Sequence, residues 1–406
     1  MKPRYTFIDL FAGCGGLTEG FYRQKFIPLA HVEFDKTACR TLRTRMEHYG
    51  FKNADKEVIE HDIMDPEINS IIEQAVAGRP VDIIIGGPPC QAYSSAGRAR
   101  DIHGMQEDPR NFLFESYVKI LNHFKPKLFV FENVSGILTA TVKGRSIIKE
   151  VFEALGENYN VINDPQILLL NSANYGVPQE RKRVIIIGVR KDLEIDIKDV
   201  YKAIRKTHYD PDMPESQRKR LKKYVTVEDA IKELPAVEPG EGLESQPFQY
   251  AVDNTFLRKI GKKRNKVLLD HVCRKHNDMD RERYRTMARE HWTFEQLLER
   301  RPDLHHDVPR VFGNSYVVQW WDLPSKTIIA HLHKDGNQFI HPDYRQARTL
   351  TVREAARLQS FPDDFVFEGS RGDKFKQIGN AVPCLFAEAI AKAIVKTLKK
   401  IDDDIQ

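Results

Sequence analysis

Over the first 190 residues, short runs rich in β-branched and aromatic residues alternate with stretches whose apolar positions recur at helical spacing. The runs Tyr5–Leu10, Ile27–Glu33, Val81–Ile85, Leu128–Glu132 and Val184–Val189 read as strands, with Asp35–Glu47 and Phe112–Phe124 as helices between them. Strand and helix in alternation is the sequence form of a parallel sheet, so the expected fold class is α/β with a doubly wound sheet. After about Lys191 the texture changes. Basic clusters (Arg218, Lys219, Arg220, Lys222, Lys223, then Lys259, Lys262, Lys263, Arg264, Lys266) interleave with Pro, Gly and polar residues, which marks a second, smaller domain. Inside it, Thr226 and Asp229 have the spacing of an N-terminal cap ahead of a helix Ala230–Leu234, and Pro235 follows. Thr351 and Glu354 form a capping-box pattern ahead of Ala355–Gln359, closed by Pro362. A last helix, Cys384–Lys400, is expected to dock on the first domain. The expected organisation is therefore a first domain over 1–190, completed by 377–400, a second over 191–345, and a connecting segment over 346–376.

Composition narrows this picture only a little. A chain of 406 residues, 41% hydrophobic, buries a full core and suits two lobes. With 30% charged residues and a net charge of +5 it is mildly basic, which permits nucleic acid without requiring it. The five cysteines, Cys14, Cys39, Cys90, Cys273 and Cys384, show neither C-x-x-C pairs nor disulfide-like clustering, a pattern suited to a reducing, cytoplasmic compartment. Strand-like residues begin at Tyr5, so no signal peptide is expected, and no uninterrupted apolar run reaches membrane-spanning length.

Candidate chemistry gathers where the predicted strands end. Asp9-Leu10-Phe11-Ala12-Gly13-Cys14-Gly15-Gly16-Leu17 is a glycine-rich turn into a helix, able to let a ligand approach the backbone, or simply a tight turn. Glu33, Phe34 and Asp35 close the second strand where an acidic residue can take ribose hydroxyls, although Asp35 also suits a helix start. His61-Asp62-Ile63 offers a further carboxylate or a turn. Gly86-Gly87-Pro88-Pro89-Cys90-Gln91-Ala92-Tyr93-Ser94 holds a cysteine on a stiff turn at a strand end, a placement that packing alone does not need. Phe131-Glu132-Asn133-Val134 sets a carboxyl group at the rim of an apolar cleft, where it can serve as a proton donor or merely be solvated beside a cap. Gln179, Arg181 and Arg183 precede the last strand and supply forks for phosphate or a base carbonyl, or solvated surface.

In content and order the set resembles the DNA (cytosine-5) methyltransferases, over nearly the whole chain outside about 191–311. The resemblance extends to Arg348-Thr349-Leu350-Thr351-Val352-Arg353-Glu354-Ala355-Ala356-Arg357-Leu358-Gln359 and to Gln377-Ile378-Gly379-Asn380-Ala381-Val382. It implies a Rossmann-like methyltransferase sheet with a target-recognition domain. S-adenosylmethionine is the implied cofactor, leaving as S-adenosylhomocysteine, with Phe11, Ala12, Gly13, Gly15, Gly16, Leu17, Glu33, Phe34, Asp62, Ile63, Pro88, Asn380 and Val382 around it. Cys90 is the implied nucleophile, Glu132 the group at the ring nitrogen and Arg183 the group at the base carbonyl, with Arg181 a further catalytic candidate. Gln91, Ser94, Arg98, Arg110 and Thr327 are implied DNA contacts, while Asp35 and Arg353 are implied to be structural. Double-stranded DNA, a restriction endonuclease for the same site and a monomeric state follow as expectations, with no metal and no membrane.

Chemistry agrees with that assignment. C5 of cytosine is a poor nucleophile, and thiolate attack at C6 turns the ring into an enamine able to accept a methyl group. The base must leave the stack for this to happen, at a cost of a few kcal/mol. Three rivals stand beside it. An RNA-directed branch typically carries a Cys-Phe-Thr signature, missing from this sequence. A zinc deaminase reading of His31-Val32-Glu33 with Pro89-Cys90 lacks a ligand, because position 93 is Tyr93. A non-catalytic DNA-binding derivative would be expected to have lost Cys90, Glu132 or the glycine loop, and all three are present.

Overall fold

A computed structural model describes residues 5–89, 113–248, 253–261, 266–305 and 315–405. Five strands, β1 (Thr6–Leu10), β2 (Ile27–Glu33), β3 (Val58–Glu60), β4 (Ile83–Gly86) and β5 (Leu128–Val134), lie in the order β3-β2-β1-β4-β5 and run parallel. Order reverses at β1, which opens a crevice at the carboxyl ends of β1 and β4. The chain then forms a small hairpin, β6 (Thr141–Val142) with β7 (Arg145–Ser146), and short strands β8 (Tyr159–Asn160) and β9 (Leu169–Asn171), before β10 (Lys182–Arg190). The last strand runs antiparallel to β5, β8 and β9 and completes an eight-stranded sheet. The α/β alternation of the sequence thus holds through β5, and β10 enters from the opposite direction.

Strand cores are mostly apolar: Phe7, Ile8, Ile83, Ile84, Ile85, Phe129, Val130, Phe131, Ile185, Ile186 and Ile187 are all buried, with Asp9 and His31 as buried polar exceptions. β4 begins two residues later than its apolar run suggests, because Asp82 is a clip rather than a rung. Its carboxylate accepts the Thr6 amide at 3.0 Å and pairs with Lys127 at 3.3 Å. The terminal helix Cys384–Ile405 packs against the helix Gly16–Arg23 so closely that a Cβ on Gly20 would lie 2.4 Å from that of Ala387. The stretch Arg371–Asp404 is long and apolar enough to cross a membrane, yet 67% of its apolar window is buried in the protein, as in a core helix.

The chain divides into two compact units, the first comprising 1–172, 182–205 and 384–406, the second 173–181 and 206–383. The second unit contains short strands β11 (His208–Tyr209) and β12 (Lys222–Lys223), a hairpin of β13 (Gly242–Pro247) with β14 (Val267–Val272), and the helices Asp278–Glu290 and Phe294–Arg300. Its capping boxes set where helices begin. Asp229 and Glu354 occupy the third helical position, so the helices run Val227–Ile231 and Val352–Leu358, several residues earlier than expected. A third box, Ser370 with Asp373, starts Arg371–Asn380.

Much of the second unit's interior is polar. Arg348 donates to both oxygens of Glu354 at 2.7 and 2.8 Å, and Arg357 to both oxygens of Asp363 at 2.8 and 3.0 Å. Arg353 donates to the carbonyls of Leu269, Pro362 and Phe365. These bidentate and carbonyl-directed contacts satisfy charge that would otherwise be too costly to bury.

Candidate active site

Register places three motifs side by side. Leu10 of β1 pairs with Gly86 of β4, and Gly86 with Phe131 of β5, so the glycine loop, the Pro-Pro turn and Glu132 all leave the sheet at one edge. Gly86 and Gly87 are small because the edge is crowded: a Cβ on Gly86 would meet the Leu10 carbonyl at 2.4 Å, and one on Gly87 a Glu132 carboxylate oxygen at 2.8 Å.

The glycine loop is built from left-handed backbone, with φ of 58° at Phe11, 55° at Gly13 and 93° at Gly15. Ala12 N–H donates to the Val32 carbonyl at 3.1 Å and pins the loop to β2. Beyond Gly13 lies open space, with no atom within 4 Å of where a Cβ would stand. Ala12 and Leu17 are buried, and Gly16 starts the following helix. Glu33 accepts backbone N–H groups from Gly13 at 2.8 Å, Phe34 at 2.9 Å and Asp35 at 2.7 Å. Burial raises its proton affinity above the usual carboxylate range, against the opposing effect of those amides. Asp35 caps the helix Lys36–His48 through the amides of Thr37 and Ala38.

Next to this stands a cleft of about 480 Å³ lined by Phe34, Asp35, Lys36, Thr37, Glu60, His61 and Asp62. Phe34 is 74% exposed, the most open large apolar side chain among the described residues. An aromatic ring left in water beside a cleft of ligand size is a stacking surface awaiting a planar partner. Asp62 accepts the Met64 amide at 2.9 Å, and Ile63 packs into the core.

On β5, Glu132 pairs with Arg183 of β10, Oε1 to Nε at 2.9 Å, both side chains about nine-tenths buried. A further guanidinium nitrogen of Arg183 donates to the Lys182 carbonyl at 2.8 Å. Asn133 donates from Nδ2 to the Pro88 carbonyl at 3.2 Å, tying the Pro-Pro turn to β5. The sequence offered Asn133 only as a cap, and its role in holding that turn was not foreseen. Cys90, Gln91, Ser94, Arg98 and Arg110 lie outside the described residues.

The remaining candidates fall in the second unit. Arg181 is buried and donates to the carbonyls of Ile328 at 2.7 Å and Gly379 at 3.2 Å. Gln179 donates to the Leu358 carbonyl and to Gln359 Oε1, and accepts the Ile328 amide. Gln359 in turn donates to the carbonyls of Ile378 and Ala381. These three side chains fasten together the segment of Thr327 and the turn of Asn380 and Val382. Thr327 donates its hydroxyl to the Glu180 carbonyl at 2.6 Å, Asn380 is exposed and Val382 buried. Gln359 was readable only as part of a longer motif, since a buried amide carries no local signature.

The parallel order β3-β2-β1-β4-β5 with an antiparallel β10, and a glycine loop at the reversal, define a nucleotide-binding α/β enzyme. Residues 5–396 match the model of the C-5 cytosine-specific DNA methylase family, and the chain belongs to that family. It is similar to the type II methyltransferase M.Bpa9945I of Bacillus paralicheniformis, with 34% identity over 95% of this chain and 98% of the relative. Type II methyltransferase M.DdeI of Desulfomicrobium norvegicum is also 34% identical, over 95% of this chain and 88% of its own length. Among solved structures, one described as a DNA modification methyltransferase encoded within an E. coli prophage superposes with a TM-score of 0.69 at 25% identity, covering 97% of this chain and 99% of that one. A methyltransferase of S. pombe shares the fold, with a TM-score of 0.54 at 13% identity over 98% of this chain and all of that one. The protein is thus a DNA cytosine-5 methyltransferase, and its family implies S-adenosylmethionine as methyl donor and DNA as substrate.

Proposed function

We propose that the protein methylates C5 of a cytosine turned out of duplex DNA, through a covalent bond between Cys90 and C6. The observation that carries this reading is the Glu132–Arg183 pair at the sheet edge from which the Pro88–Pro89 turn leads to Cys90. A carboxyl group and a guanidinium held together match the two polar sites of a cytosine edge: Glu132 is assigned to N3 and Arg183 to the carbonyl oxygen. Attack by the Cys90 thiolate breaks the C5–C6 double bond and pushes charge toward N3, where Glu132 holds it by hydrogen bonding or proton donation. After methyl transfer the C5 proton leaves, the double bond re-forms and Cys90 is expelled.

S-adenosylmethionine, when bound, supplies an electrophilic methyl group. The open backbone at Gly13, the exposed Phe34 ring and the adjoining cleft fit an adenosine-containing ligand. Phe11, Ala12, Gly13, Gly15, Gly16 and Leu17 are assigned to its methionine end, Glu33 to the ribose, Phe34, Asp62 and Ile63 to adenine, and Pro88, Asn380 and Val382 to the remaining wall. Arg181 is assigned a positioning role, because its guanidinium is taken up by two carbonyls. Gln91, Ser94, Arg98, Arg110 and Thr327 are assigned to DNA. The second unit is read as the target-recognition region, with Lys219, Arg220, Lys222 and Lys223 exposed for phosphate contacts. Similarity to type II methyltransferases supports a short recognition sequence shared with a cytoplasmic restriction endonuclease, and one asymmetric transfer needs only a monomer.

The test is incorporation of labelled methyl groups into unmethylated genomic DNA and, in parallel, transfer RNA, with base-resolution mapping. Label at C5 of one cytosine within a short recurring DNA sequence is expected. Label confined to RNA would overturn the substrate assignment.

A further inference from the structure

Asp9 has no part in the chemistry assigned to Cys90, Glu132 and Arg183, yet it stands at the base of the same glycine loop. It is fully buried near the end of β1. One carboxyl oxygen accepts the Thr18 hydroxyl at 2.7 Å, and Thr18 lies in the first turn of the helix that follows the loop. The other oxygen has no hydrogen-bond partner among the described residues. A buried acceptor left without a donor is uncommon and points to a partner that arrives from outside.

Among the described residues, the titratable groups around Asp9 do not supply a cation. Glu33 of β2 acts on it as a second acid. His31, opposite Asp9 in the β2 register, is buried and held neutral, its pKa pushed down to about 4 by desolvation. Tyr117, on the helix Leu113–Phe124, spends its hydroxyl on the carbonyls of Ile84 and Val130. On the ligand side, the methyl donor carries a positive sulfur and the demethylated product a neutral one.

We propose that Asp9 is the counter-charge by which the glycine loop recognises the cationic cofactor, losing its proton as S-adenosylmethionine binds and keeping it more readily with S-adenosylhomocysteine. This rests on the loop being the cofactor site. Burial pushes the Asp9 carboxyl up to about 7, with Glu33 adding and the Thr18 hydrogen bond opposing, so near neutrality the group is poised between its two forms. If binding requires the ionised form, affinity for S-adenosylmethionine is about tenfold weaker at pH 6 than at pH 8, and roughly half a proton is released per cofactor at pH 7. Product binding follows pH less steeply, so preference for the methylated form grows with pH.

The experiment is calorimetric titration of the full chain with S-adenosylmethionine and S-adenosylhomocysteine, in two buffers of different ionisation enthalpy, at pH 6, 7 and 8. Wild type is expected to release more protons with the methyl donor than with the product. Asp9→Asn is expected to lose that release, flatten the pH dependence and narrow the preference, while melting higher at pH 8 because it no longer buries a charge. Thr18→Val keeps the acid but removes its hydrogen bond, and should move the midpoint of the affinity profile to higher pH. Equal proton release by wild type and Asp9→Asn would assign the proton to another group such as Glu33 and overturn the proposal, as would an unmoved midpoint in Thr18→Val. Failure of wild type to bind either ligand would instead overturn the cofactor reading of the loop, and the proposal with it.

Discussion

At the carboxyl edge of the first unit, the buried Asp9 and the half-buried Glu33 are carboxyls that make no ion pair among the described residues, one lacking a partner for an oxygen and the other held by three amides. In the second unit, Glu354 and Asp363 each give both oxygens to an arginine. Both arrangements sequester carboxyl groups, but only the second pairs them with a counter-charge. Polar groups that a fold leaves incompletely matched mark where a ligand is meant to complete them, whereas matched pairs mark where the chain is being held in shape. The arginines of the segment 348–357 therefore belong to architecture, although they are as densely charged as any surface that would grip DNA.

Several substitutions break or sharpen this contrast. Glu132→Gln acts where the site is chemical: it is expected to lower kcat by about 10²–10⁴-fold, with cofactor affinity unchanged in a binding titration. Loss of cofactor binding in proportion would move Glu132 to the architectural class. Arg348→Met acts where the unit is architectural. Burial alone would raise the Glu354 carboxyl, and Arg348 instead holds it well below the usual range. Removing that partner strands a buried charge, at about 3–5 kcal/mol by chemical denaturation, and pairing it with Glu354→Leu should restore most of the loss. Phe34→Ala should weaken cofactor affinity about tenfold and leave the melting temperature unchanged, because the ring is 74% exposed before any ligand covers it.

The smallest effect is on pH dependence. Burial pushes His276 down to about 4 and His341 to about 3, and Arg274 and Arg348 respectively add to it. The unfolded chain takes up these protons near the ordinary value of 6.5 and the folded chain only near 4 or below, so their contribution is full above about pH 6.5 and is lost as pH falls through 4. Asp9 has the opposite sign: its carboxyl is raised from 3.8 to about 7, so its contribution is lost as pH rises through that interval. Lowering the pH from 7 to 4.5 should thus cost the second unit, with His276 and His341, more protection from hydrogen exchange than the first, where His31 shares their sign but Asp9 opposes it.

Four of the five parallel strands could be read from the sequence because their interiors are mostly apolar runs, whereas β3, only three residues long, is too short to show a period. The glycine loop was legible as a tight turn after β1, because its glycines mark the left-handed backbone found there. The hairpin β13–β14 and the helices Asp278–Glu290 and Phe294–Arg300 were not foreseen, because these segments are rich in charge and hide few apolar positions in a regular period. Tertiary packing against Tyr316, Val318 and Ile340 stabilises the two helices, and those partners lie far along the chain. Helix starts at Val227 and Val352 were displaced because the cap residue was recognised but the acid of the box was counted as preceding the helix. Gln179, Gln359 and Asn133 share a different obstacle: an amide becomes a strut only when distant carbonyls are brought to it.

The most direct test of covalent catalysis by Cys90 is incubation of the protein with S-adenosylmethionine and a duplex carrying 5-fluorocytosine at the mapped target, followed by peptide mass spectrometry. Fluorine at C5 blocks the final elimination, so a methylated base fixed to Cys90 is expected. Normal methylation of unsubstituted DNA with no adduct on the fluorinated duplex, or an adduct on a different residue, would contradict attack by Cys90 at C6.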